Sequence, residues 1–196
     1  MTPEALIHNT INAVASLSQS SLQTLMDCIE VQEIAKGTSF VRRGQVNEHE
    51  YFILRGICHS YAVDGNNTSV SLAFYTSKSI LSPHVTRSEN NISNTSVETL
   101  SGVLVGKVLA STFLELMIHN IEIREFANQV LRNELIRKTN REVDMVSLSA
   151  LERLLKFRKQ HPMLENQISA PRLASYLGIT SISLSRLRGQ LSRMKQ

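Results

Sequence analysis

The chain has 196 residues, 42% of them hydrophobic and 19% charged, with a formal net charge of +4. That is enough chain for one large domain or two small ones, and too apolar a composition for a disordered segment. Two cysteines, Cys28 and Cys58, exclude a disulfide scaffold, a four-thiolate zinc site and a four-cysteine iron–sulfur cluster. They read as buried, reduced thiols of a cytoplasmic protein.

The uncharged run over residues 5–26 holds His8, Asn9, Asn12, Gln19, Gln23 and four serines. Each is costly in hydrocarbon, and no Lys or Arg precedes the run, so neither a membrane span nor a secretory signal is expected. Apolar residues at helical spacing over residues 10–29, namely Ile11, Val14, Leu17, Leu22, Leu25 and Met26, predict two short helices with a break at residues 18–21. From residue 30 to about residue 108 the period changes to two, as in Ile29-Val31-Glu33-Ala35, Tyr51-Ile53, Ser69-Ser71-Ala73 and Val103-Val105. Lys36-Gly37, Gly44, Gly56 and Asp64-Gly65-Asn66-Asn67 break these runs. Many short strands at such spacing predict a rolled antiparallel sheet or jelly roll. Residues 77–94 are polar, contain Pro83 and read as an irregular loop.

From Leu109 the pattern is helical again. Ile123, Phe126 and Val130 form one stripe, with Ala127, Leu131 and Leu135 beside it, on a long helix over about residues 119–144. Such a face can meet both the body and a partner helix, or only its own barrel; the former reading makes Ile123, Phe126 and Val130 the dimer interface. The weakly patterned residues 144–147 read as a hinge between domains 1–145 and 146–196, and residues 147–160 as a further helix ended by His161-Pro162. Charge supports the division. Residues 151–196 carry nine Lys or Arg against two Asp or Glu, a net of +7, leaving the first 150 residues at −3. A basic tail on an acidic body predicts a polyanionic partner.

Residues 170–189 carry the functional signal. A helix–turn–helix needs a small residue where its helices cross, a residue tolerant of left-handed φ at the turn, and apolar residues between the helices. Ala174 and Gly178 meet the first two needs, Leu173, Leu177, Ile179, Leu184 and Leu187 the third, and Thr180 sits at the N-cap of the second helix. With Leu184, Leu187 and Leu191 turned inward, Ser181, Ile182, Ser185, Arg186 and Gly189 face outward. Arg186 is the expected base reader, because its planar fork matches guanine O6 and N7. Ser181 and Ser183 are candidates for bases or phosphate, Thr180 for phosphate, and Ile182 for a thymine methyl. Arg172, Arg188, Arg193 and Lys195 are candidate phosphate partners.

A rolled β domain, a long helix and a C-terminal helix–turn–helix, in that order, resemble the Crp/Fnr family of bacterial transcription regulators. The resemblance rests on Tyr51-Phe52-Ile53-Leu54-Arg55-Gly56, the turn glycines Gly37 and Gly44, and Leu173-Ala174-Ser175-Tyr176-Leu177-Gly178-Ile179-Thr180 followed by Leu184-Ser185-Arg186-Leu187-Arg188. The fold class it implies is α+β: an N-terminal antiparallel, cyclic-nucleotide-binding-like β-roll with flanking helices, a long dimerisation helix, and a C-terminal winged-helix-like domain. It further implies a homodimer on an inverted repeat of double-stranded DNA, acting as a regulator rather than an enzyme, with RNA polymerase as a further partner. Arg186 falls on the family's base-reading arginine, and Ser181 and Ile182 on neighbouring contact positions. Glutamate is usual where this chain has Ile182, so the family's half-site is not carried over.

The resemblance also places an effector pocket at Ile80, Leu81, Ser82, His84, Arg87, Thr95 and Ser96. The family's Gly-Glu and later Arg-Ser/Thr are missing there, and a buried phosphate without a cation or amide nest is uncompensated. Neither cAMP nor cGMP is therefore expected, and no other cofactor is specified. A rival reading from another class is a cupin-like metal-dependent enzyme or binder built on His49-Glu50, with His59 and His84 as further ligands. It lacks the second histidine of a His-x-His pair, since position 51 is tyrosine.

Overall fold

The computed structural model describes residues 1–65, 68–81 and 91–193. The chain divides into two units, Met1–Ser60 with Phe74–Leu135, and Tyr61–Ala73 with Ile136–Gln196. Two helices open the first, α1 (Pro3–Asn12) and α2 (Gln19–Met26). Helix α1 begins earlier than its apolar spacing suggests, because Thr2 caps it and Pro3 fits the first turn, where no amide donor is needed. The break between the helices carries a second cap, Ser18, whose hydroxyl accepts from the Ser21 amide.

Eight strands follow: β1 (Glu30–Ile34), β2 (Ser39–Val41), β3 (His49–Arg55), β4 (Cys58–Val63), β5 (Ser69–Tyr75), β6 (Ser79–Leu81), β7 (Ser96–Thr99) and β8 (Val103–Leu109). One sheet has the order β1-β8-β3-β6 and the other β2-β7-β4-β5, with antiparallel pairing of β1 and β3 to β8, β6 to β3, and β2 to β7. The strand β6 corrects the expectation of a loop over residues 77–94. Three residues pair Ile53, Phe52 and Tyr51 with Ser79, Ile80 and Leu81, too short a run to show a period of its own.

Strand β3 is buried on both faces. Phe52 and Leu54 point to the helices, while Tyr51 turns the other way and meets Phe40 of β2 edge to face, with 5.0 Å between ring centroids. This two-sided burial explains the unbroken apolar run Tyr51-Phe52-Ile53-Leu54. The strand ends at Gly56, whose φ of +96 is open to glycine, and where an added Cβ would lie 2.5 Å from the Gly102 carbonyl oxygen.

Helix α3 (Ala110–His119) and the first half of α4 (Ile121–Ser147) close the helical side of the sheet. Ile123, Phe126, Ala127 and Val130 repeat at helical spacing and are buried with Phe52, Leu54, Leu104, Val108 and Phe113. Phe126 lies parallel to Phe52 with 6.5 Å between centroids. Ile123, Phe126 and Val130 are thus covered by the chain's own core, which corrects their expected place at a dimer interface.

The second unit contains the outer part of the β4–β5 hairpin, the second half of α4, and helices α5 (Ala150–Gln160), α6 (Ala170–Tyr176) and α7 (Ser181–Arg193), with a short 3-10 turn at Leu164–Asn166. Helix α4 runs unbroken through Ser147, so residues 144–147 are helical. The break comes one residue later, where Ser149 and Glu152 form a capping box at the start of α5. Leu154, Phe157, Leu164, Ile168, Leu173, Ala174, Leu177 and Leu184 are buried.

Candidate nucleic-acid interface

Helices α6 and α7 are joined by a turn that the sequence dictates residue by residue. Leu173 and Ala174 are buried on α6, and a side chain larger than alanine at residue 174 would have to displace its neighbours. Gly178 has φ of +69, and the Ile179 amide donates to the Ala174 carbonyl while the Gly178 amide donates to that of Ser175. This paired closure is the glycine-terminated helix end that needs a left-handed residue. Thr180 caps α7, its hydroxyl accepting from the Ser183 amide at 3.1 Å and lying 3.0 Å from the Ser183 hydroxyl.

Two arginines and a methionine set this pair of helices within its unit. An added Cβ on Gly178 would lie 2.5 Å from Cε of Met145 on α4, so glycine also admits a close approach there. Arg153 donates from Nε to the Leu177 carbonyl at 3.0 Å and also to that of Leu148. Arg141 donates to the carbonyls of Ser71, Leu72 and Tyr176, and its guanidinium lies 4.7 Å from the Tyr176 ring centroid. Ser175 accepts from the Ser71 amide at 2.9 Å and donates to the Ser69 carbonyl at 3.5 Å, so β5 is fastened to α6 at two points. Sequence reasoning missed Arg141 and Arg153 because their partners are backbone carbonyls, which no side-chain pattern reveals.

On α7 the outward face is Ser181, Ile182, Ser185, Arg186 and Gly189, all exposed, with Thr180 exposed just before them. Ile182 is 67% exposed, which leaves its side chain open to solvent on that face. Leu184 is buried on the opposite side, and Leu187 and Leu191 are partly covered. Ser183 is half-buried with its amide engaged by the cap, and Arg172 is half-buried on α6. Arg188 is turned to Glu165, with Nε 2.8 Å from Oε1. Arg193 is exposed; Lys195 lies outside the described residues.

Four of the residues expected at an effector pocket, Ile80, Leu81, Thr95 and Ser96, lie among the described residues. Ile80 packs toward the helical core and Leu81, its neighbour on β6, points to the other face of the sheet. Ser96 accepts from the Arg43 amide at 3.1 Å, and the Thr95 hydroxyl is buried with no hydrogen-bond partner among the described residues. Ser82, His84 and Arg87 lie outside the described residues. His49 and Glu50, adjacent on β3, point to opposite faces, and among the described residues no three His, Cys, Asp or Glu groups lie together as a metal set. The cupin-like reading loses its ligand cluster on that geometry. Burial pushes the Cys58 thiol up to about 12, which leaves it an inert packing group.

No family model matches the sequence, and no curated protein matches it. Solved structures do. FixK2 from Bradyrhizobium japonicum superposes with a TM-score of 0.74 at 16% identity, over 85% of this chain and 86% of that one. The c-di-GMP-responsive global regulator CLP of Xanthomonas campestris gives 0.70 at 12% identity, over 90% and 92%. A protein assigned to the Crp/Fnr regulators from Eubacterium rectale gives 0.70 at 13% identity, over 91% and 85%. The chain has the Crp/Fnr fold. The last two of these neighbours are described as regulators, of gene expression and of transcription. Among the described residues no helix is long and apolar enough to cross a membrane.

Proposed function

We propose that this chain is a sequence-reading regulator of transcription that binds double-stranded DNA as a homodimer and works in the cytoplasm. The single observation that carries the reading is the α6–α7 pair: a glycine-closed turn, a capped second helix, and an outward face of small polar residues around exposed Arg186. Such a helix fits the major groove, since Ser181, Ser185 and Gly189 allow close approach to base edges while Arg186 offers two parallel donors to guanine. The net +7 of residues 151–196 supplies attraction to phosphate, with Arg172 and Arg193 at hand for it.

The homodimer interface that fits this reading lies on the second half of α4. Leu135 is 65% exposed, Ile136 52%, Val143 52% and Val146 87%. Residues 136, 139, 143 and 146 alternate by three and four, the spacing of a two-helix seam. The roll is a site for an effector or a protein partner, RNA polymerase included, and cyclic mononucleotides fit it poorly because the phosphate-holding residues are missing. Titration of a labelled mixed-sequence duplex, read by anisotropy and by mass of the complex, tests the reading. The expected result is two chains per duplex and a salt-dependent affinity that a subset of sequences competes far better than the rest. Failure to bind any duplex at 50 mM salt, where phosphate attraction is strong, would remove the proposal.

A further inference from the structure

We infer that Glu165 is a positioning residue for DNA reading, one that gathers Arg158 and Arg188 onto itself and so turns Arg188 from a phosphate contact into a brace for α7. The inference rests on the proposed DNA-binding reading and goes beyond it, because it assigns a role to an acidic residue in the most basic part of the chain.

Glu165 sits on the 3-10 turn Leu164–Asn166, between α5 and α6. Its carboxylate takes Arg158 in a two-point grip, Nε to Oε2 at 2.5 Å and a terminal nitrogen to Oε1 at 3.1 Å. The same Oε1 accepts from Nε of Arg188 at 2.8 Å. One carboxylate therefore links the last turns of α5 to the middle of α7. The side chain of Glu165 is 12% exposed, and those of Arg158 and Arg188 are 33% and 36% exposed, so the link is partly shielded from water. In such surroundings charge-assisted, two-point bonds hold geometry better than an exposed ion pair does. The Arg158 hydrogen bond, aided by that of Arg188, keeps the Glu165 carboxyl below its ordinary range, against the opposing effect of burial.

The consequence follows from helical geometry. Arg186 and Arg188 are two residues apart on α7, so their side chains leave the helix on well-separated faces. A tether on Arg188 fixes the roll of α7 about its own axis, and with it the direction of Arg186. Two of the basic groups in this region are meanwhile neutralised to a net of one charge. The chain thus gives up phosphate attraction at Arg188 and Arg158 for a fixed reading helix.

The test compares the unsubstituted protein, Arg188→Gln and Glu165→Gln on a selected duplex and on a random duplex over a range of salt. Arg188→Gln should leave the slope of log affinity against log salt unchanged while the selected-to-random affinity ratio falls roughly tenfold. Glu165→Gln should lower the ratio similarly and steepen the slope, by up to about 0.9 for each arginine released to phosphate. The double variant should lose little more than either single one, since both break the same link. A slope flattened by about 0.9 in Arg188→Gln, with the ratio intact, would make Arg188 a phosphate contact and overturn the inference. So would an unchanged ratio in both variants. If Glu165→Gln fails to fold by thermal unfolding, Arg188→Gln alone decides between brace and phosphate contact. A ratio near one in the unsubstituted protein removes the DNA-reading proposal itself, and is seen before any variant is made.

Discussion

Arg186 carries the account at the level of single residues. It is exposed on the outward face of α7, and a two-donor contact to guanine is worth about 1–3 kcal/mol of discrimination. Arg186→Ala should weaken the selected site by that amount and flatten the preference at one base pair in each half-site, read by competition binding. Gly178 makes a prediction about folding instead. Its φ of +69 disfavours any side chain, so Gly178→Ala should cost about 1–2 kcal/mol in urea unfolding, with Met145 shifting to admit the methyl. Gly178, Ala174 and Thr180 were legible from the sequence because each position tolerates few residue types. Arg188 was not: spacing places an arginine on a helix, but only the fold brings Glu165 beside it.

Among the elements, α4 answers two structural demands along its length. Ile123, Phe126, Ala127 and Val130 bury one stripe in the chain's own core, whereas Ile136, Val143 and Val146 expose another. The apolar period over the first half was readable, but whether it faced a barrel or a partner was not, since both burials select the same residues. The two halves predict different outcomes. Val143→Glu should give folded monomers by equilibrium sedimentation, with the thermal midpoint little changed. Val130→Glu should lower the thermal midpoint sharply, because the charge would be buried without a partner. A dimer that survives Val143→Glu would move the interface off this face. Strand β6 shows the opposite limit, for a three-residue strand is defined by its neighbour Phe52 and not by its own sequence.

Over the whole molecule, alternation and turn glycines sufficed to predict a rolled antiparallel sheet or jelly roll followed by helices, and the structure has two four-stranded sheets followed by helices. The unit boundary was not legible. Residues 61–73 group with the C-terminal helices through Arg141 and Ser175, whose bonds to Ser71 join positions 70 and 104 residues apart. Acid should loosen the C-terminal unit in two stages. Burial, and secondarily Arg137, holds His161 below its ordinary value of 6.5, so the unfolded chain binds a proton that the folded form refuses. Stability therefore falls as pH drops from 6.5, and His161→Gln should remove that limb of the thermal unfolding profile. Glu165, also held low, adds a second loss in the same direction as pH falls below 4.5 toward its folded value.

Selection of the purified protein against a random duplex pool, at two salt concentrations and without added ligand, tests the central claim most directly. The account predicts an inverted repeat with half-sites about ten base pairs apart, the spacing of two reading helices on one face of the duplex. Its guanine preference should disappear with Arg186→Ala. Recovery of unselected sequence, bound weakly and lost at the higher salt, would mean that the chain holds DNA only by charge and would contradict the account.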